Sequence, residues 1–180
     1  MMCERGEALS IRINRFRLRL PLMAAPMSIA SNVPLVAACS RAGIMGCFPT
    51  HNANRDGGLA SWITRIDTAR QIFADEGGLP APFAVNLNVS RKKPAETLAN
   101  ELAICREARL PVITTNARNP AEVVKQVHDW GGIVIHDATT MEQAEKAVAA
   151  GVDGLMLVCA GAGGLGGLLT PFAFVPKVRR

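Results

Sequence analysis

The 180-residue chain contains no tyrosine, and aromatic residues make up only 4% of it. Proteins that bind nucleic acid usually combine a basic surface with aromatic side chains that stack on the bases. The net charge of +5 does not supply such a surface, because residues 21–176 carry 12 basic and 13 acidic side chains and the excess lies at the two ends. We therefore expect no nucleic-acid partner.

Long apolar runs and paired cysteine motifs are also absent from the sequence. Proline, glycine or a charged residue interrupts every apolar stretch before the roughly 18 residues that a membrane-spanning helix needs. The five cysteines show neither CxxC spacing nor a Cys/His cluster, which argues against a disulfide framework or a zinc site. We expect no membrane partner and no metal, and we predict a cytoplasmic protein with reduced thiols.

The first 19 residues differ from the rest of the chain in composition. They are rich in arginine, but Glu4 and Glu7 argue against a transit peptide. Pro21 and Pro26 would break the apolar core of a secretory signal. We predict that residues 1–19 form a short flexible extension and that residues 20–180 form one domain.

Six short apolar runs, each bounded by glycine or proline, predict buried strands. They are Leu22–Ala25, Ile44–Phe48, Phe83–Leu87, Val112–Thr115, Ile133–Ile135 and Leu155–Val158. Helical patterns in the intervals favour parallel strands joined by right-handed crossovers, which makes the fold class α/β. Two architectures remain open: a doubly wound open sheet, or an incomplete (β/α)8 TIM barrel with about six of its eight parallel strands.

Three of the intervals carry recognisable helix signals. The stretch Pro94–Ala108 has apolar residues on one helical face. Asn119 is expected to cap a second helix. Thr139 and Glu142 form a predicted capping box for a third, with Val148 on its inward face.

A glycine cluster follows the last predicted strand and formally matches the dinucleotide-binding pattern GxGxxG. The cluster is Gly161–Gly166, with the sequence GAGGLG. A Rossmann site also requires a helix starting at the glycines and an acidic residue about 20 positions later. Here Pro171 follows closely and no Asp or Glu comes after Asp153, which we interpret as a turn residue. The glycines can still let backbone N–H groups approach a phosphate or a flat ring.

Four segments, taken in order, resemble the nitronate monooxygenases, FMN-dependent TIM-barrel oxidoreductases formerly grouped as 2-nitropropane dioxygenases. They are PLMAAPM at residues 21–27, AGIMG at 42–46, FAVNL at 83–87 and AGVDG at 150–154, which leads into the glycine cluster. The resemblance runs from about Leu20 to the C-terminus. Flavin-dependent enoyl-reductase barrels share much of this pattern and remain an alternative.

The resemblance implies an FMN site on the loops at the carboxyl ends of the strands, where TIM barrels assemble their chemistry. The expected cofactor-binding residues are Ala25, Pro26, Met27, Asn86, His136, Gly163 and Gly164. The expected reaction is oxidation of an alkyl nitronate or nitroalkane by O2. A purely structural hydrogen bond is the alternative interpretation of Asn86, because a buried amide is costly unless it is paired.

The sequence departs from the family pattern at Leu165. Members usually carry Gly-Gly-His in this loop, and the histidine is thought to remove the proton from the nitroalkane carbon. Leucine cannot accept a proton, so we assign no catalytic residue and expect activity on neutral nitroalkanes to be strongly reduced. His136 is the best substitute base that the sequence offers.

The chain is also shorter than the roughly 250 residues of a complete barrel. The loops after strands seven and eight, which usually hold the cofactor phosphate, lie beyond the predicted strands. We therefore expect a truncated family member, with a catalytically inactive fragment as a further alternative. Open sheet edges predict self-association.

Overall fold

A computed structural model describes residues 16, 18–90, 92–164 and 166–179. Its strands are β1 Met23–Ala24, β2 Met45–Pro49, β3 Phe83–Asn88, β4 Val112–Asn116, β5 Ile133–Ala138 and β6 Gly154–Leu157. Its helices are α1 Val33–Ala42, α2 Thr50–Ala53, α3 Gly58–Asp75, α4 Ala95–Glu107, α5 Ala121–Asp129, α6 Met141–Ala149 and α7 Pro171–Arg179. Every predicted strand is therefore confirmed to within a few residues.

The six strands form one parallel sheet in the order β1-β2-β3-β4-β5-β6. A doubly wound sheet reverses its strand order at a switch point, whereas this order follows the chain from one edge to the other. The sheet curls into a half-barrel with helices on its outside, so the prediction of an incomplete TIM barrel is confirmed.

Residues alternate between the two faces of this sheet and build two apolar layers. Phe48, Val85, Ile113 and Val134 pack against the helices on the convex face. On the concave face, the lower layer consists of Met45, Cys47, Ala84, Val112 and Ile133. Polar side chains are thereby confined to the upper part of the concave face, near the carboxyl ends of the strands.

The segment before β1 contributes to the base of the barrel. Phe16 and Leu18 pack against the concave apolar layer, and the Arg19 N–H donates to the Gly43 carbonyl at 2.8 Å. Of the predicted extension, these are the residues that the structure describes, since 1–15 and 17 lie outside it. The boundary at residue 19 and the flexibility of the extension stay predictions.

One predicted helix start, that of α6, is displaced by one residue. Thr140, rather than Thr139, caps α6: its side chain accepts from the Gln143 N–H at 3.2 Å. Gln143 reaches back to the Thr139 N–H at 2.8 Å, so the predicted partner Glu142 is not the capping side chain. Two adjacent threonines offer the same pattern in two registers, and the sequence does not distinguish them.

The other helix predictions are partly confirmed. In α4 the inward face is as predicted, with Leu102 and Cys105 buried. The Asn119 carboxamide accepts from the Ala121 N–H at 2.9 Å, at a helix that begins two residues after it. Val148 is 60% exposed because the buried face of α6 is centred on Ala144 and Ala147, so the prediction that it faces inward is wrong.

Candidate functional site

A row of polar side chains crosses the upper concave face on β3 and β4, directly above the Cys47 thiol of the apolar layer. The Asn86 amide N–H donates to the Thr114 hydroxyl at 3.0 Å, and the Asn116 amide donates to the Asn86 carbonyl oxygen at 3.4 Å. The Cys47 thiol lies 3.6 Å from the same Thr114 oxygen. Asn86 is only 3% exposed, so these contacts satisfy much of a buried amide and fix its orientation. Among the described residues, these contacts use one amide hydrogen and one lone pair of Asn86.

Asp137 continues this row on β5. Thr115 pairs with His136, so one residue further along both strands Asp137 stands beside Asn116. The Asp137 carboxyl is half-buried, and its Oδ1 oxygen, like that of Asn116, has no hydrogen-bond partner among the described residues. Burial raises the pKa of Asp137 to about 6. Sequence reasoning missed this residue.

Cys47 and Asp137 lie on the same side of the sheet, and the negative charge of Asp137 acts on the thiol. Burial, with a further contribution from the negative charge of Asp137, raises the pKa of the Cys47 thiol to about 12. The thiol therefore stays protonated at neutral pH and behaves as a small apolar group. The only group in this row that titrates near neutrality is the Asp137 carboxyl.

His136 points to the opposite face of the sheet from Asn86. Its Nδ1 nitrogen lies 2.8 Å from the Thr115 hydroxyl, and Thr115 follows Thr114, whose side chain is on the concave face. The ring is 4% exposed, and burial lowers its pKa, so the imidazole is neutral. The structure therefore does not bring His136 together with Asn86, and its contact with a cofactor stays a prediction.

The turn Ala25–Met27 leaves β1 at the same edge of the sheet. Its backbone is held by two neighbours: the Met27 N–H donates to the Ser31 hydroxyl at 3.0 Å, and the Asn52 amide donates to the Met27 carbonyl at 3.0 Å. The Met27 side chain is 41% exposed, and Pro26 is half-buried. Asn52 is a second residue that sequence reasoning missed, because its role depends on α2 folding back over the turn.

An open pocket of about 610 Å³ lies beside this turn, between the ends of β1 and β2. Its polar lining includes a hydrogen bond of 2.9 Å between the Ser28 hydroxyl and the His51 Nε2 nitrogen. Asn54 and Arg55 complete the rim. Unlike the buried Asn86 row, these side chains are exposed to solvent.

The glycine cluster and the following Gly167 form a loop after β6, here called the glycine loop, which contains glycines of two kinds. A Cβ atom built on Gly163 or Gly164 would meet nothing within 4 Å, which leaves open space above the backbone. A Cβ on Gly166 would lie 2.9 Å from the Ala162 carbonyl oxygen, and one on Gly167 would lie 2.4 Å from the Val158 carbonyl oxygen. Gly166 and Gly167 are therefore required by the fold, while Gly163 and Gly164 leave room for a ligand. Leu165, the position of the missing base, lies outside the described residues.

A sequence model of one family, described as nitronate monooxygenase, matches residues 10–179. The chain belongs to that family. The four segments that carry the resemblance fall at β1, β2, β3 and β6 of the half-barrel. Among curated proteins, none matches the chain significantly.

Solved structures support the same fold for this nitronate monooxygenase family member. FabK from Thermotoga maritima is similar with a TM-score of 0.71 and 25% identity, over 92% of this chain and 49% of FabK. A nitroalkane oxidase from Streptomyces ansochromogenes is similar with a TM-score of 0.59 and 21% identity, over 81% of this chain and 48% of the oxidase. The chain thus spans about half the length of these structures.

Two further features of this family member concern membrane helices and metal-binding clusters. In the described part of the chain, no helix is both long and apolar enough to cross a membrane. The described residues also contain no group of three His, Cys, Asp or Glu side chains that could hold a metal ion.

Proposed function

We propose that this chain is a flavin-dependent oxidoreductase whose half-barrel binds FMN at the carboxyl edge and oxidises alkyl nitronates with O2. The observation that carries the proposal is the placement of the Ala25–Met27 turn, Asn86 and the open glycines at one edge of one curled sheet. Parallel strands present their carboxyl ends on the same side, where TIM barrels bind their ligands. Membership of the nitronate monooxygenase family supports the cofactor and the reaction class.

The residues at this edge fit a flat, polar ring system. Within the described part of the chain, the Asn86 amide keeps one donor and one acceptor free, and the Asn116 oxygen is an acceptor without a partner. Gly163 and Gly164 present backbone with open space above it. A ring that carries both N–H and C=O groups would satisfy these atoms, whereas an apolar ligand would leave them unpaired at a cost of about 1–3 kcal/mol each.

When bound, the flavin would supply electron transfer and the reaction with O2. The contribution of the chain is to hold and orient the reactants. The Ala25–Met27 backbone, fixed by Ser31 and Asn52, would support the ring, and Asn86 would set its register along the sheet. A nitronate enters as an anion that is already deprotonated, so its oxidation does not need the base that Leu165 cannot provide.

Gly163→Ala tests the cofactor site. We expect FMN to bind about tenfold more weakly, a loss of about 1.4 kcal/mol, because the new methyl group would occupy space reserved for the ring. The unfolding temperature should not change, since that methyl group meets no protein atom within 4 Å. Quenching of FMN fluorescence during titration measures the affinity.

Gly167→Ala is the contrasting variant. Its Cβ would lie 2.4 Å from the Val158 carbonyl oxygen, so it should lower the unfolding temperature. Wild-type FMN affinity in Gly163→Ala would remove the glycine loop from the proposed site.

Leu165→His tests the reaction. With FMN bound, oxygen uptake should be measurable with preformed ethyl nitronate, and the variant should raise turnover of neutral nitroethane more than turnover of the nitronate, because the histidine adds a proton acceptor in the glycine loop. Equal gains on both substrates would contradict the role given to position 165.

The second candidate function is reduction of an enoyl thioester with electrons from a nicotinamide. Leu165 favours this second function. A proton acceptor in the glycine loop is needed for nitroalkanes only, so its absence does not count against enoyl-thioester reduction. NAD(P)H oxidation dependent on an enoyl thioester, without oxygen uptake on nitronate, would select this function instead.

A further inference from the structure

We propose that the Asp137 carboxylate is the proton acceptor of the concave face and removes the α-hydrogen of a neutral nitroalkane. The inference deepens the proposed function, on which it rests, by extending the substrate class from nitronates to their protonated forms. A side chain on β5 would thereby act as the proton acceptor that the glycine loop of this chain lacks.

The Asp137 carboxylate lies on the concave face of the sheet. β5 alternates between the two faces, so His136 and Asp137 point to opposite sides of the sheet. His136 is bound to Thr115 on the convex side, which leaves Asp137 as the β5 side chain that stands beside Asn116 at the end of the Asn86 row. The row faces the site proposed for the flavin ring.

No described residue occupies the Asp137 carboxylate. Among the described residues, no Lys, Arg or His forms an ion pair with Asp137, and its Oδ1 oxygen has no hydrogen-bond donor. Buried carboxylates with a purely structural role are normally paired, as Asp153 is with the Val134 N–H. A half-buried carboxylate without a partner is typical of a site that meets a ligand or a proton.

The surroundings of Asp137 also suit a base that works near neutral pH. Cys47 from β2 is held neutral by its own burial, while Asn116 from β4 and Met156 from β6 carry no charge. A raised pKa, near 6, brings the carboxylate close to the working pH while keeping it mostly ionised at pH 7.

The step balances without any other reagent. The Cα–H bond of the nitroalkane breaks, its proton passes to a carboxylate oxygen of Asp137, and the electron pair moves onto the nitro group to give the nitronate anion. The protonated carboxyl then returns its proton to water. No electron transfer is involved, so the step can be followed independently of nitronate oxidation.

The test is exchange of the α-hydrogens of nitroethane with D2O, followed by proton NMR on the FMN-loaded full chain under anaerobic conditions. We expect the wild type to accelerate exchange over buffer and Asp137→Asn to lose at least 10²-fold of that acceleration. Asp137→Glu, which keeps the carboxylate, should recover part of it. Asp129→Asn makes the same chemical change at an exposed carboxylate on α5 and should leave exchange unchanged.

A second measurement separates this inference from the proposed function. In Asp137→Asn the loss of nitroethane exchange should exceed any loss of oxygen uptake with preformed ethyl nitronate at least tenfold, because that substrate has already lost its α-proton. Absence of nitronate oxidation in the wild type would overturn the proposed function and leave the exchange result valid. Absence of exchange in the wild type, or full exchange in Asp137→Asn, would overturn the role of Asp137.

Discussion

At Asp137, the burial that gives the proposed base its raised pKa also lowers the stability of the fold at neutral pH. Burial raises its pKa from 3.8 to about 6, so the folded state binds this proton more tightly than the unfolded state. Between about pH 4 and pH 6 the unfolded chain releases the proton first, and stability falls as the pH rises through that window. Above about pH 6 the folded protein carries the full penalty of the ionised carboxyl.

Asp137→Asn should therefore raise the free energy of unfolding at pH 7.5, by about 1–3 kcal/mol. The gain should shrink towards zero as the pH falls to about 3.5, where the wild-type carboxyl is protonated in both states. Urea denaturation at several pH values measures both quantities. A gain that does not depend on pH would mean that the substitution acts through packing rather than through the buried charge.

The same residue shows how far the sequence defines the site. The sequence predicts that β5 ends at the site, because Ile133–Ile135 is a continuous apolar run at the expected spacing. Such a run is buried on both faces and gives no alternation that would reveal which side chains point inward. The choice between His136 and Asp137 therefore depends on the register with β4, which only the structure supplies.

At the scale of elements, β5 and β6 are joined by the side chain of Asp153, for which the sequence predicts only a turn residue. Asp153 is 7% exposed, and its Oδ2 oxygen accepts from the Val134 N–H at 2.9 Å. The same oxygen lies 2.8 Å from the His128 Nε2 nitrogen on α5. One carboxylate thus connects the start of β5, the end of α5 and the entry to β6.

Asp153→Ala should cost about 1–3 kcal/mol of unfolding free energy, because the Val134 N–H would be buried without a partner. Asp129→Ala is the matched control: its carboxylate pairs with Arg106 at 3.5 Å, and both side chains are more than half exposed. We expect that change to cost less than about 0.5 kcal/mol. Thermal or urea unfolding of the two variants measures the difference, and equal losses would rule out the buried hydrogen bond as the cause.

Strands were easier to predict from the sequence than helix ends. Parallel strands covered on both faces appear as short apolar runs, and all six were found in this way. The helix α3 starts at Gly58 after another glycine, with no side-chain cap, so no local signal marks its beginning. The cap predicted at Thr139 lies at Thr140, because adjacent threonines offer equivalent hydrogen bonds. Asn119 accepts from the Ala121 N–H but lies one residue before the N-cap position of its helix, where Pro120 has no capping side chain.

At the scale of the whole molecule, the described sheet has two edges, β1 and β6. Each lies near exposed apolar side chains: Leu20 and Leu22 are about half exposed beside β1, and Leu168 and Phe172 are 97% and 91% exposed after β6. An unpaired strand next to exposed apolar residues is a typical site of association. We therefore predict that this 180-residue chain associates with copies of itself through these edges.

The double substitution Leu168→Ser, Phe172→Ser should shift the chain towards the monomer in sedimentation velocity experiments over a range of concentrations. It should leave the unfolding temperature nearly unchanged, because both side chains are exposed and α7 is anchored by the buried Phe174 instead. Leu79→Ser removes a side chain of similar exposure, 82%, from the loop before β3, away from both edges, and should not alter association. If the control and the double variant reduce association equally, the association is caused by general surface hydrophobicity rather than by the open edge. Both sites would then act only through the apolar area that they expose.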